Sequence, residues 1–300
     1  MLTKIHHVGV AVRSADDALP FYRDALGLAV TKDAVLDEQG VRGVLLRAGQ
    51  TEIELLEPLR PDTPVGRFID SRGEGLHHLC LETDDIKVDV AAAKANSLPL
   101  IDERPRPGLA GMIAFLHPKA TRGVLVEYAQ PPNLSTDRSH QPPSPGAKGT
   151  GEVAEPVFDH VAVALSGLEA GVKAFSGNFG LSPSAIRESA TLGIRVVSLP
   201  IGDAYIGVVA PLGSETPVAD FISRRGEGLY LISFVVADLD GTGAALRVAG
   251  QRVTAPDGER PLSRPLPFDG RGAGGGARRA FISPRGTNGV LIQLIERAGS

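Results

Sequence analysis

Apolar Val8, Val10 and Val12 alternate with His7, Gly9 and Ala11, a period of two that predicts a strand at the start of the chain. Ser14 followed by Asp17 predicts a side-chain cap opening a helix that runs to about Gly27. Pro20 falls inside that helix and should kink it or shift its start, because it lacks the N–H an interior turn needs. Further strands are expected near 42–48, 51–57, 77–83, 112–117 and 123–129, with a second helix near 85–96. Strands interleaved with single helices predict an α+β fold built on curved, mixed sheets.

The pattern occurs twice. FIDSRGEGL at 68–76 returns as FISRRGEGL at 221–229, and HVGVAV at 7–12 returns as HVAVAL at 160–165, both offset by 153. GVLVE at 123–127 matches GVLIQ at 289–293 with an offset of 166, so the second copy has gained residues after Gly228. A repeat this long implies duplicated domains, because solenoid periods are far shorter. The expected division is a first domain over 1–130, a proline-rich linker over 131–156 and a second domain over 157–300. Six prolines with Ser, Gly and Thr make 131–156 a semi-extended linker, and the Pro/Gly/Arg-rich stretch 255–279 reads as a surface loop.

Of the 300 residues 42% are hydrophobic and 22% charged, which excludes collagen-like, disordered and disulfide-scaffold classes. A net charge of −4 argues against a nucleic-acid partner, which calls for a basic surplus. The longest apolar run, Leu229 to Val236, is far too short to span a bilayer, and no apolar signal core opens the chain. The single cysteine, Cys80, cannot form an internal disulfide, and a reducing cytoplasm fits best.

Candidate chemistry lies on the second faces of the strands. Ile53 and Leu55, Leu79 and Leu81, and Val124 and Val126 form one apolar face per strand, suited to packing under helices. The opposite faces carry His7, Glu54, His78 and Glu127 among small or neutral residues. If those faces line one cup, two imidazoles and two carboxylates converge there, a set suited to a divalent ion with positions left for substrate. Taken singly, each also reads as an ordinary strand residue: a hydrogen-bonded histidine or a solvent-facing carboxylate. Alternation sends His6 and His77 to the other face, as structural or exposed residues. His117 before Pro118 reads as a turn residue or a substrate contact, and Cys80 as packing.

IHHVGVAV at 5–12, FYR at 21–23 and LGL at 26–28 resemble the opening of the vicinal oxygen chelate superfamily. ELLEPL at 54–59, SRGEGLHHLCLETDDI at 71–86 and IAFLHPKATRGVLVEYAQ at 113–130 resemble its methylmalonyl-CoA epimerase family, so the likeness covers residues 4–130 almost continuously. It implies paired βαβββ modules forming a metal-holding cup, with His7, Glu54, His78 and Glu127 at the ligand positions. The ion implied is divalent (cobalt, manganese, nickel, zinc, magnesium or iron). The reaction implied is epimerisation of a 2-substituted acyl-CoA; for its proton transfers Glu127 or Glu54 is the candidate acid/base group, with a water or His117 in assistance. A basic strip for the CoA phosphates is expected at Arg104, Arg106 and Lys119. Some bacterial members carry a proposed catalytic glutamate where this chain has Gly43.

At the corresponding positions the second half has His160, Gly207, Leu231 and Gln293, which predicts no tight metal. It is expected as a structural stand-in for the second subunit of a single-domain dimer, in preference to a regulatory pocket, so the assembly is a monomeric pseudo-dimer or a homodimer. Competing readings are a glyoxalase I-type lyase with the same ligand set, a ring-cleaving Fe(II) dioxygenase using His7, His78 and Glu127, and a non-catalytic small-molecule binder.

Overall fold

The structure, a computed structural model, describes residues 1–132, 155–254 and 277–297. The linker expected over 131–156 and the loop expected over 255–279 fall almost wholly outside these residues. The first half runs β1 (Leu2–Ala11), α1 (Ala15–Leu19), β2 (Ala29–Leu36), β3 (Val41–Ala48), β4 (Thr51–Pro58), α2 (Pro64–Arg72), β5 (Gly75–Thr83), α3 (Ile86–Ala95), β6 (Arg106–Gly108), β7 (Gly111–Leu116) and β8 (Leu125–Gln130). The second runs β9 (Val157–Ala164), α4 (Leu168–Phe179), β10 (Arg187–Ser189), β11 (Ile194–Ile201), β12 (Ala204–Pro211), α5 (Pro217–Arg225), β13 (Gly228–Val235), α6 (Leu239–Val248), β14 (Val253–Thr254), β15 (Arg278–Ile282) and β16 (Leu291–Glu296).

Among the described residues each half forms one eight-stranded mixed sheet, ordered β2-β3-β4-β1-β5-β8-β7-β6 and β10-β11-β12-β9-β13-β16-β15-β14. Two βαβββ modules meet along the antiparallel β1–β5 pair, while β1–β4 and β5–β8 are parallel. The second half repeats this through β9–β13, β9–β12 and β13–β16. The fold is α+β, as expected, with the four central strands of each sheet supplying the floor of a cup.

Local chemistry explains the elements. Ser14 Oγ accepts the Asp17 N–H at 3.1 Å and caps α1. Pro20 has no N–H to continue the ladder, and the chain passes into a wider turn over Pro20–Ala25 in which Leu26 N–H reaches Phe21 O at 2.8 Å. Asp85 caps α3 with bonds from Lys87 and Val88. Three elements of the first half escaped the pattern, among them the three-residue β6 at the far edge of the sheet. β2 is an edge strand, mostly exposed, so its sequence shows no apolar alternation. The short α2 announces itself only through its ends, Thr63 capping Gly66 N–H, Pro64 in the first turn and Gly73 closing it at φ +75°.

The apolar strand faces do what their pattern implies. Val8, Val10, Ile53, Leu55, Leu79, Leu81, Val124 and Val126 are all fully buried, in a core that is continuous across both halves. Each such side chain stabilises the fold by roughly 1.5–3 kcal/mol. The halves also meet through polar contacts: Tyr22 Oη donates to Thr287 O at 3.1 Å, and Asn178 Nδ2 to Ala120 O at 2.7 Å. No helix of the described residues is long and apolar enough to cross a membrane.

Candidate metal centre

In the first sheet β4, β1, β5 and β8 lie side by side and contribute Glu54, His7, His78 and Glu127. Register brings them level: Gly9 pairs with Glu54 on one side and His78 on the other, and Cys80 pairs with both His7 and Glu127. Gly9 is what makes room. A Cβ on it would lie 2.3 Å from the His78 ring, so a residue with a side chain there would push the imidazole out of the cup.

All four side chains are buried. His7 Nε2 and His78 Nε2 stand 2.9 Å apart. Glu54 Oε2 lies 3.3 Å from the first and 3.4 Å from the second; Glu127 Oε2 lies 3.3 Å and 2.9 Å from them. Donor atoms that share one ion at bond lengths of about 2.0–2.2 Å stand roughly 2.8–3.6 Å from one another; the donor atoms of His7, Glu54 and His78 form one such close group, and Glu127 lies against both of its rings. The electrostatics agree. Two ring nitrogens at 2.9 Å can share a single N–H, while the two buried carboxylates facing them favour positive charge there, a proton or a cation. Burial works to raise the Glu127 pKa, yet the hydrogen bonds from His7 and His78 outweigh it and hold the carboxyl well below its usual range. Burial likewise opposes charge on His7, but Cys80 and Glu54 overcome it and raise the ring well above an ordinary histidine. A site that pulls protons in this way suits a divalent ion that would replace them.

His6 and His77 correct the expectation. The β1–β5 pairing slips by one residue at each of them, since Ile5 and His7 oppose Leu81 and Cys80, and Gly9 and Val10 oppose His78 and Leu76. Each is therefore the extra residue of a β-bulge, and alternation fails there. The bulges bring His6 Nδ1 to 2.9 Å from His7 Nδ1, and His77 Nδ1 to 3.1 Å from His78 Nδ1. A neutral imidazole that gives its Nε2 lone pair to a cation carries its proton on Nδ1. His7 and His78 would then donate to His6 and His77, fixing those two as Nε2–H tautomers. Burial pushes the His6 and His77 pKa values down to about 3, which keeps both rings neutral and able to accept.

A cavity of about 440 Å³ opens above the four residues, walled by Leu56, Val65, Leu109 and Phe115 among others, with Glu38, Gln39, His77 and Arg106 as further polar groups. Arg106 is held by Asp102 at 3.1 Å and lies over the Phe115 ring. The other expected residues lie elsewhere. Arg104 and Lys119 are exposed and do not line the cavity. His117 does not line it either, because its Nδ1 accepts the Lys119 N–H and caps the turn over Pro118–Thr121. Cys80 is buried beside Ala110, Ile113 and Ala129 and is hydrogen-bonded to His7, and burial pushes its thiol up to about 12, so it packs as a neutral thiol beside the donor set. At Gly43 a Cβ would lie 2.6 Å from Leu109 Cδ2 and 3.4 Å from Glu54 Oε1, so Leu109 fills the space a longer side chain would need.

Comparison with known proteins follows this geometry. Residues 6–115 match the family described as the Glyoxalase/Bleomycin resistance protein/Dioxygenase superfamily, and residues 158–287 match a glyoxalase-like domain. Over 131 residues, 43% of this chain and 74% of the relative, the sequence is 39% identical to mitochondrial methylmalonyl-CoA epimerase of Mus musculus. Over 133 residues it is 34% identical to the ethylmalonyl-CoA/methylmalonyl-CoA epimerase of Cereibacter sphaeroides, of which it covers 99%. Both matches lie in the amino-terminal part. A mutant of 4-hydroxymandelate synthase from Streptomyces coelicolor shares the fold across 100% of this chain and 94% of its own, with a TM-score of 0.73 at 20% identity.

Proposed function

Because the chain belongs to the glyoxalase/bleomycin resistance protein/dioxygenase superfamily, we propose that its amino-terminal cup is a divalent-metal centre that epimerises a 2-substituted malonyl-CoA-type thioester. The observation that carries this reading is the convergence of His7, Glu54, His78 and Glu127 within 2.9–3.4 Å contacts in a buried, cavity-facing cluster. A bound divalent ion would supply charge stabilisation for the substrate oxygen that gains electron density as the α-proton leaves, an effect of several kcal/mol.

The chain's own residues supply the rest. Inversion at carbon needs a proton removed on one face and returned on the other. Glu54 and Glu127 enter from opposite sides of the imidazole pair, on β4 and β8, which supports reading them as the two groups that do so. Glu54 has the better claim to move a proton. Its Oε2 faces the imidazoles, while its Oε1 lies by Gly43, where some family members carry a glutamate. Leu109 and Phe115 keep that wall apolar and exclude water from the reacting carbon. Arg106 is the basic side chain at the cavity for an anionic group of the substrate.

The test is loss of the α-proton signal of methylmalonyl-CoA and ethylmalonyl-CoA in deuterated water, followed by NMR. Exchange should stop with chelator and return with the ion. Glu54→Gln should keep metal affinity within about tenfold and slow exchange by about 10²-fold or more. Undiminished exchange in the stripped protein sinks the proposal, and oxygen uptake with a catecholic substrate would move the chain to the dioxygenase class.

A further inference from the structure

The second cup contains a cavity of about 280 Å³ at the place equivalent to the first. Gly207 stands there for Glu54 and Leu231 for His78, so two of the four donor positions have become open space and apolar wall. Val196, Val209, Phe281 and Leu291 continue that wall. The other two positions keep polar ends, and each is oriented by a bond from behind. His160 stacks on Tyr205 with centroids 4.5 Å apart and 15° between planes, and its Nδ1 donates to Asp159 at 2.8 Å. The opposite ring edge turns to the chamber, its Cδ2 3.7 Å from where a Cβ on Gly207 would stand. That edge carries Nε2, which in the neutral ring is an acceptor. Gln293, only 5% exposed, is held by Ser233, which stands where the first half has Cys80 and donates its Oγ to Gln293 Oε1 at 3.1 Å. The amide N–H groups of Gln293 are left as donors. Ser233 pairs in register with both His160 and Gln293, so the two polar ends flank one strand and line the same cavity. Among the described residues neither the His160 Nε2 nor the Gln293 Nε2 has a partner. Arg279 lines the cavity as well, its Nη1 donating to Ala277 O.

We infer that the second cup holds an uncharged small molecule with one hydroxyl on an apolar body, the hydroxyl donating to His160 Nε2 and accepting from Gln293 Nε2. A hydroxyl is donor and acceptor at once, whereas an ether or a carboxylate only accepts and leaves the imidazole lone pair unmet. Against a wall of Val209, Leu231 and Leu291 an unmet acceptor is costly, and that cost makes the pair selective. The same wall rewards carbon surface on the rest of the molecule. An apolar cavity of about 150 Å³ takes benzene, so one of about 280 Å³ admits a body of two fused rings. This binding does not depend on how the first cup is read.

The experiment is fluorescence titration of the full chain with 2-naphthol, whose emission is read cleanly because the sequence has no tryptophan. 2-Methoxynaphthalene, which lacks the hydroxyl proton, and 2-naphthoate, which is charged, are compared by displacement of 2-naphthol. One 2-naphthol per chain should bind, at least about tenfold more tightly than either competitor. His160→Phe, which keeps a ring on Tyr205, should erase the preference for the naphthol over its ether. Gln293→Leu should weaken both alike, by about threefold or more. Gly207→Leu should abolish binding by filling the chamber, and it is the mildest of the three, because a Cβ there meets only ordinary contacts at 3.7–3.8 Å. The unsubstituted chain alone decides the matter if a variant fails to fold. Equal affinity for the naphthol and its ether, tighter binding of 2-naphthoate, no binding of 2-naphthol, or binding that survives Gly207→Leu each overturns the inference.

Discussion

Three carboxylates, Glu38, Glu54 and Glu127, face the amino-terminal cavity against one guanidinium, Arg106; at the carboxy-terminal cavity the charged lining residue among those described is Arg279. The scaffolds around these opposite charges correspond closely. The bulges at His6 and His77 recur at Asp159 and Tyr230, each shifted by 153 positions and each breaking the same strand pairing. The Phe68–His77 ring contact at 4.9 Å recurs as Phe221–Tyr230 at 5.0 Å. Even the carboxylate Asp159 stands behind His160 as His6 stands behind His7. The lesson is that backbone, bulge and packing were retained while a few inward positions turned a chamber lined by imidazoles and carboxylates into a largely apolar one.

The largest expected effect separates the cups by metal. His78→Ala should weaken divalent-ion binding by the chelator-stripped protein at least about 10²-fold, since it removes a ligand outright. His160→Ala should leave stoichiometry and affinity as they were. Calorimetry with Co²⁺ or Mn²⁺ reads both. An equal loss in the two variants would mean that the cups do not differ in the way their side chains say.

The converse experiment asks whether side chains alone make the difference. Gly207→Glu, Leu231→His and Gln293→Glu together rebuild the ligand set around His160, whose Nδ1 bond to Asp159 already orients the ring for a metal. Space is available, as Gly207 is uncrowded and its backbone ordinary. A second equivalent of ion should appear, roughly 10–100-fold weaker than the first because Arg279 remains close by. A folded triple variant that takes up one ion only would place the difference in the backbone.

Much of this contrast was legible before any coordinates. The repeat offsets aligned Gly207, Leu231 and Gln293 with Glu54, His78 and Glu127, and period-two patterning put the four donors on one set of faces. What escaped was whatever breaks periodicity. A bulge adds one residue without marking the sequence, so simple alternation places His6 and His77 on the wrong side. β2 is wetted along most of its length and carries no apolar stripe to find. The basic strip is hard to read for another reason: charge composition says nothing about direction, and of Arg104, Arg106 and Lys119 only Arg106 lines the cavity. His117 precedes a proline, and that local turn claims its ring nitrogen.

Acid should distinguish the halves next. His6 and His77 are pushed down to about 3, chiefly by burial, against about 6.5 in an unfolded chain. Between those values the unfolded chain holds protons that the folded one does not, so the stability these rings contribute is present above pH 6.5 and lost as pH falls toward 3. The raised His7 loses its contribution only as pH rises above 6.5, and the lowered Glu127 only as pH falls below about 4.5, so neither interferes between pH 6.5 and 4.5. The second half has Asp159 and Tyr230 in these places. His77→Tyr, which copies it, should reduce the dependence of unfolding free energy on pH by up to one proton, about 1.4 kcal/mol per pH unit, in that window. Urea midpoints of the stripped protein at several pH values measure it, and an unchanged slope would show that His77 does not carry the acid response.

The smallest effect concerns how the halves hold each other. Tyr22 reaches from the first half to Thr287 O, and Asn178 reaches from the second to Ala120 O, so each half grips the turn that precedes the other's last strand. The grips are unequal in burial. Tyr22 is fully buried, and Tyr22→Phe leaves its acceptor with no water to replace the hydroxyl, at a cost of about 1 kcal/mol. Asn178 is half-buried, and Asn178→Ala admits solvent, so about 0.5 kcal/mol is expected. For a chain of this length the former lowers Tm by about 2–4 °C. Because the core is continuous across the halves, both substitutions should shift one cooperative transition, with nearly additive effects. Two separate transitions, with Tyr22→Phe moving only one, would mean that the cups fold independently and are neighbours without being coupled through a common core.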